Sequence, residues 1–277
     1  MLERPRTAIN AALICLAGLM VTGILADLVP AVNTRDSASL RGFASLRDTK
    51  LSLVLERIAH IADGGPYALL ATAVVLAALV RRRRRVAAVV GVVLIVSPMT
   101  SEVLKHVFAT PRNTTVIDAT HTFAASWPSG HATASMTLAL CAILVAPPRL
   151  RPLAAVAGSI FTLSVCYAVL VWVWHFPSDV IGGLLVAAIY GLLAIAFLRR
   201  YPDPLHRGEP AVAGDIRPAL ALGGVAAVIG LALAVQRSGA FYEHIAGKDS
   251  FVLAGVTIAV LAIGLAALFA RVTRGSG

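Results

Sequence analysis

The sequence predicts an all-α polytopic membrane protein, a helix bundle, and three observations carry that reading. The first is composition: 58% of the 277 residues are hydrophobic, only 14% are charged, and the mean hydropathy is +0.83. Soluble domains carry roughly 45–50% apolar and about 25% charged residues, so this chain has more apolar side chain than a water-facing fold can cover. The second is distribution: the apolar residues gather in eight runs, 8–29, 66–80, 86–104, 132–146, 152–174, 180–198, 219–235 and 251–270. A bilayer core of about 30 Å needs roughly 20 apolar residues per helix. The third is charge: if the N-terminus faces the cytoplasm, 15 of the 24 Lys and Arg residues fall in loops on that side, as the positive-inside rule requires.

Each element follows in order. The first run lacks a small residue at position −3 of a cut after Ala26, so it reads as an uncleaved helix rather than a signal peptide. Between the first two runs, Leu51, Leu55, Ile58, Ala59 and Ala62 recur at helical spacing. Lys50, Glu56, Arg57 and Asp63 stand among them, which predicts an amphipathic helix lying in the membrane surface. The runs 66–80 and 132–146 are short for a span and are expected to extend into their flanking loops. Arg81 to Arg85 form a stop-transfer anchor that fixes orientation, with both termini cytoplasmic. Residues 199–217 mix prolines, glycines and charges and read as a cytoplasmic linker. The last two runs carry no ionisable residue in their cores and read as a C-terminal hairpin. The expected organisation is a helical core over 1–198, the linker over 199–217 and the hairpin over 218–277.

The net charge of +10 would point to nucleic acid in a soluble protein; here it serves topology, and no nucleic-acid partner is expected. Cys15, Cys141 and Cys166 lie inside apolar runs, which argues against a disulfide framework or a thiolate metal site.

Ionisable groups at the ends of membrane helices are costly unless they do something. Here they collect in three stretches that the predicted topology puts on one face. Lys105 and Arg112, seven residues apart, could both reach one phosphate, Arg as a bidentate fork and Lys as a point charge. Alone they read as a solvated pair, with Glu102 as the expected ion-pair partner of Lys105. In Pro128-Ser129-Gly130-His131, Pro and Ser suit a helix start, and Gly lets a ligand approach the backbone. The free N–H groups of a helix start attract anions. In His175-Phe176-Pro177-Ser178-Asp179, Pro177 marks another helix start. An Asp four residues after a His can fix its tautomer and leave the other ring nitrogen as a nucleophile; the alternative is a capping Asp beside an interfacial His. Taken together, two histidines, one carboxylate, two cations and two helix starts suit phosphoryl transfer through a phosphohistidine. One imidazole attacks phosphorus, the other protonates the leaving oxygen, and cations and backbone N–H groups hold the equatorial oxygens. That chemistry requires no metal and no cofactor. His60, His206 and His244 stand alone and read as surface or interfacial. His106 and His121 fall in the loop near the site without a role. Trp172 and Trp174 read as an interfacial aromatic belt.

These three blocks resemble the signature of the type 2 phosphatidic acid phosphatase and vanadium haloperoxidase superfamily. Lys105 to Arg112 matches its first block, Pro128-Ser129-Gly130-His131 its second, and His175 to Asp179 the end of its third. The resemblance implies a six-helix core and a membrane enzyme that dephosphorylates a lipid phosphate, of the phosphatidate or polyprenyl diphosphate kind. It implies His175 as nucleophile, Asp179 as its orienting partner and His131 as general acid. Lys105, Arg112, Ser129 and Gly130 are implied as phosphate binders, with no metal, and the site facing the extracytoplasmic side of a bacterial-type plasma membrane. The sequence departs from the family at Asn113, where the first block has Pro, and at Ala168 and Val169, where the third block has Ser-Arg. A lipid phosphotransferase, or a protein that binds lipid phosphate without turnover, stands as the alternative. A haloperoxidase is not expected, because a diffusing oxidant gives no reason for eight spans.

Overall fold

The computed structural model describes residues 5–108, 126–201 and 249–272. Its helices are α1 (Pro5–Leu28), α2 (Pro30–Ala44), α3 (Lys50–Ala59), α4 (Gly64–Val80), α5 (Arg84–Val107), α6 (Gly130–Val145), α7 (Arg151–Val171), α8 (Pro177–Arg200) and α9 (Asp249–Val272). A short 3₁₀ turn over His60–Ala62 joins α3 to α4. The described residues contain no strand, so the all-α expectation holds. Five of the helices, α1, α5, α7, α8 and α9, are long and apolar enough to cross a membrane, and α3 with α4 forms a sixth candidate bent by 63° at Asp63. The predicted run 219–235 and most of the linker 199–217 lie outside the described residues.

The short run at 132–146 becomes α6, which is extended at its start to Gly130 and is still only 16 residues long. Its burial explains this: 13 of those residues are buried. A helix apolar on all sides belongs in a core, and α6 is wrapped by α4, α5, α7 and α8 instead of facing lipid. Three hydrogen bonds tie hydroxyls around this core, where an apolar surround makes an unpaired polar group costly. Ser97 and Thr137 share a hydrogen bond of 2.9 Å, Thr100 and Tyr190 one of 2.6 Å, and Tyr67 donates to the Leu94 carbonyl at 2.6 Å. Trp127 is almost fully buried and lies edge-on to Phe108. Phe251, Ile258, Ala262 and Phe269 of α9 join the same apolar cluster as α6 and α8.

The region 33–64 is two helices rather than one. Pro30 starts α2, and Thr49 caps α3 through its side chain, which accepts from Ser52 N–H. The predicted apolar face is partly placed: Ala59 and Ala62 are buried, whereas Leu51 is 63% exposed.

Antiparallel packing sorts the helix ends into two layers. One holds the arginines. Arg83 donates to the Leu144 carbonyl at 3.2 Å, Arg151 to Ala146 at 3.2 Å and Arg85 to Tyr201 at 3.1 Å. These cations cap the carbonyl ends of α6 and α8, where the helix dipole is negative. The other layer holds the end of α5, the start of α6, the α7–α8 turn and the α3–α4 junction.

Candidate active site

The α7–α8 turn is built by a Schellman closure. Trp174 N–H donates to the Val169 carbonyl at 2.8 Å and Val173 N–H to Leu170 at 3.1 Å. Such a closure requires a left-handed residue, usually Gly. Val173 occupies that position with φ 59°, a conformation that costs an L-residue about 1–2 kcal/mol. The Val169 carbonyl also accepts from His175 N–H at 3.3 Å. The backbone carbonyl at 169, which any residue would supply, thus sets the path into His175, while the side chain at the position of the family Arg carries no charge. Ala168 and Val169 are both fully buried.

Pro177 opens α8, and Asp179 sits in its first turn, where a carboxylate meets free N–H groups and the positive end of the dipole. Asp179 Oδ2 accepts from Phe176 N–H at 2.9 Å and lies 3.5 Å from His175 Nδ1. Asp179 is fully buried and His175 is 7% exposed. The expected approach at i, i+4 is therefore present, with the carboxylate oxygen 3.5 Å from the ring nitrogen. A second carboxylate braces the same helix start: Asp36 of α2 accepts from Ser178 N–H at 3.1 Å and Ser178 Oγ at 2.6 Å. Nothing in the sequence pointed to Asp36, because its partner lies 142 positions away.

Ser129 caps α6, its Oγ accepting from Ala132 N–H at 3.3 Å, and it is fully buried. Ser129 N–H donates to the Asp179 carbonyl at 2.9 Å, which ties the start of α6 to the start of α8. The two helices touch at Gly183, where a Cβ would stand 2.5 Å from the Ser129 carbonyl oxygen. Lys105 Nζ pairs with Glu102 Oε1 at 2.6 Å, as the sequence predicts. Both atoms lie against Gly130, where a Cβ would meet them at 3.2 and 2.9 Å. The cation thus reaches the helix start because position 130 has no side chain.

His131 and His175 face one another with ring centroids 6.2 Å apart. The structure therefore brings Lys105, Ser129, Gly130, His131, His175 and Asp179 together. Arg112, Asn113 and His121 lie outside the described residues, as do His206 and His244. His106 is exposed and accepts no part in the cluster; its Nδ1 contacts the Glu102 carbonyl at 2.8 Å.

Two expectations change. His60 does not stand alone: its Nδ1 lies 2.7 Å from Asp63 Oδ2, while Asp63 Oδ1 lies 2.9 Å from His131 Nε2. Burial works to raise the Asp63 pKa, but hydrogen bonds from His60 and His131 outweigh it and hold the carboxyl below its ordinary value. Trp174 does more than sit at a membrane interface, because its ring lies 5.5 Å from both His60 and His131. Trp172 anchors α3, donating to the Ser52 carbonyl at 3.2 Å under the Arg47 guanidinium. The signal for Asp63 in the sequence was ambiguous. Asp-Gly-Gly-Pro marks a helix start, and nothing in that pattern names a histidine 68 positions on.

Comparison with known proteins bears on the family and the fold. Residues 86–202 match the family described as the PAP2 superfamily. The fold resembles the crystal structure of a transmembrane PAP2 type phosphatidylglycerolphosphate phosphatase from Bacillus subtilis, with a TM-score of 0.60 at 16% identity, covering 69% of this chain and 97% of that one. No curated protein matches the chain by sequence.

Proposed function

From the match of residues 86–202 to the PAP2 superfamily and the geometry of the site, we propose that the chain is a membrane lipid phosphatase of that family working through a phosphohistidine. The observation that carries the reading is the facing pair of imidazoles, 6.2 Å between centroids, with a buried carboxylate behind one of them. In this reading Asp179 holds His175 Nδ1 and leaves Nε2 to attack phosphorus. The P–O bond to the lipid breaks as the N–P bond forms, and His131 gives its proton to the leaving oxygen. His131 then accepts a proton from water, which attacks the phosphohistidine and releases inorganic phosphate. Lys105 and the first-turn N–H groups of α6 stabilise the equatorial oxygens. Arg112 joins them on the strength of its spacing in the sequence. No step calls for a metal.

The apolar helices keep the lipid tail in the bilayer, and the arginine layer faces the cytoplasm by the positive-inside rule. The site then opens on the extracytoplasmic side. The test is phosphate release by detergent-purified protein, with EDTA present, from phosphatidate, phosphatidylglycerol phosphate and a polyprenyl diphosphate. We expect turnover of at least one and an acid-labile phosphoprotein on rapid quenching. Turnover that survives His175→Ala overturns the mechanism. A second reading, binding without turnover, draws on Val169 standing where the family has Arg; it predicts saturable lipid phosphate binding and no phosphate release.

A further inference from the structure

Asp63 occupies the N-cap position of α4. An Asp there ordinarily accepts from N–H groups of the first helical turn. Here the side chain makes no such bond. Both carboxylate oxygens go to imidazoles instead, Oδ1 to His131 Nε2 at 2.9 Å and Oδ2 to His60 Nδ1 at 2.7 Å. The carboxylate gives up the task its position favours, and the two rings it holds both lie against Trp174.

We propose that Asp63 is a positioning residue for His131, holding its ring and its proton for transfer to the leaving oxygen, and that His60 in turn holds Asp63. This rests on the phosphatase reading above. A general acid must enter the reaction as imidazolium, and a carboxylate on its far N–H stabilises that form. With Nε2 engaged by Asp63, Nδ1 is the nitrogen that serves the leaving group. The surroundings make the carboxylate necessary. His131 faces His175 across the site, and Lys105 of α5 stands close by, paired with Glu102. The Lys105 ammonium opposes a second positive charge; Asp63 is the anion in hydrogen-bond contact with His131 among the described residues. The proton moves from His131 Nδ1 to the lipid oxygen as the P–O bond breaks, and Asp63 stays ionised throughout.

The test compares wild type with Asp63→Asn, Asp63→Glu and His60→Ala on two substrates in detergent micelles. Phosphatidylglycerol phosphate has an alkoxide leaving group that needs a proton; p-nitrophenyl phosphate has one that does not. For the lipid, Asp63→Asn is expected to lower kcat about 10- to 100-fold, with KM nearly unchanged and the alkaline limb of the kcat profile moved to lower pH. The aryl ester should lose far less, Asp63→Glu should recover part of the loss, and His60→Ala should shift both measures in the same direction by less. Equal losses on both substrates with an unmoved pH profile would mean a merely structural role and overturn the inference. NMR titration of histidine-labelled protein separates this from the parent reading. The His131 midpoint should fall in Asp63→Asn whether or not the protein turns over, and an unmoved midpoint overturns the inference even where the phosphatase reading stands. Absence of phosphate release from wild type, by contrast, removes the parent reading and the inference with it.

Discussion

The two imidazoles of the site are held by carboxylates in opposite settings. Asp179 is fully buried, one helix turn from His175, and anchored to the backbone through Phe176 N–H. Asp63 has a side chain 43% exposed, reaches His131 across 68 positions, and bonds to side chains. A buried carboxylate is tolerated only when paired and hydrogen-bonded, so Asp179 is committed to the fold as well as to His175. Water screens an exposed pair and weakens its contribution to stability; what Asp63 gives is direction and proton affinity at one ring. In the proposed mechanism the same chemical pairing thus serves structure and reaction together in one place, and reaction alone in the other.

The comparison can be broken or sharpened in order of effect. His175→Ala removes the attacking nitrogen and should cost on the order of 10⁴-fold or more in lipid phosphate release. Asp179→Asn should follow, with a loss of up to about 10⁴-fold in kcat from the wrong imidazole tautomer. Because the residue is buried, its melting temperature in detergent should fall as well. Were Asp63→Asn to cost as much on both measures, the distinction between the two pairs would disappear.

Gly183→Ala tests the joint between them. The added methyl would press on the Ser129 carbonyl, the Ala132 Cβ and the Thr133 hydroxyl, at 2.5, 3.0 and 3.0 Å. Overpacking of this kind costs about 1–3 kcal/mol, so a lower melting temperature should accompany reduced turnover. A variant as stable and active as wild type would show that the α6–α8 contact does not set the site.

The smallest effect concerns pH. The Asp63 carboxyl is held below its ordinary value by its two histidines. Its stabilising contribution is therefore complete above the unfolded value of about 3.9 and is lost as pH falls through the lower folded value. The melting-temperature gap between wild type and Asp63→Asn should be small at neutral pH and close in acid. A gap that widens in acid would reverse the assigned sign.

How much of this was legible depended on the range of each interaction. The pairing of His175 with Asp179 and that of Glu102 with Lys105 are local, and helix geometry brings residues three and four apart together. The helix starts at Ser129 and Pro177 are local too. The length of α6 could not be read, because a short run looks too short to span until its neighbours are seen to shield it. His60 read as isolated for the same reason: its partner's second contact comes from another part of the chain.

Composition and hydropathy alone determined that this chain is a membrane-embedded helical bundle, since burying so much apolar side chain leaves no soluble alternative, and short-range spacing picked out the residues proposed to carry the chemistry. Only the tertiary structure decided that Asp63 turns from its own helix to His131, that Asp36 braces α8, and that Trp174 lies against both His60 and His131. Those contacts join segments whose separation along the chain leaves no periodic trace, and packing is what selects them.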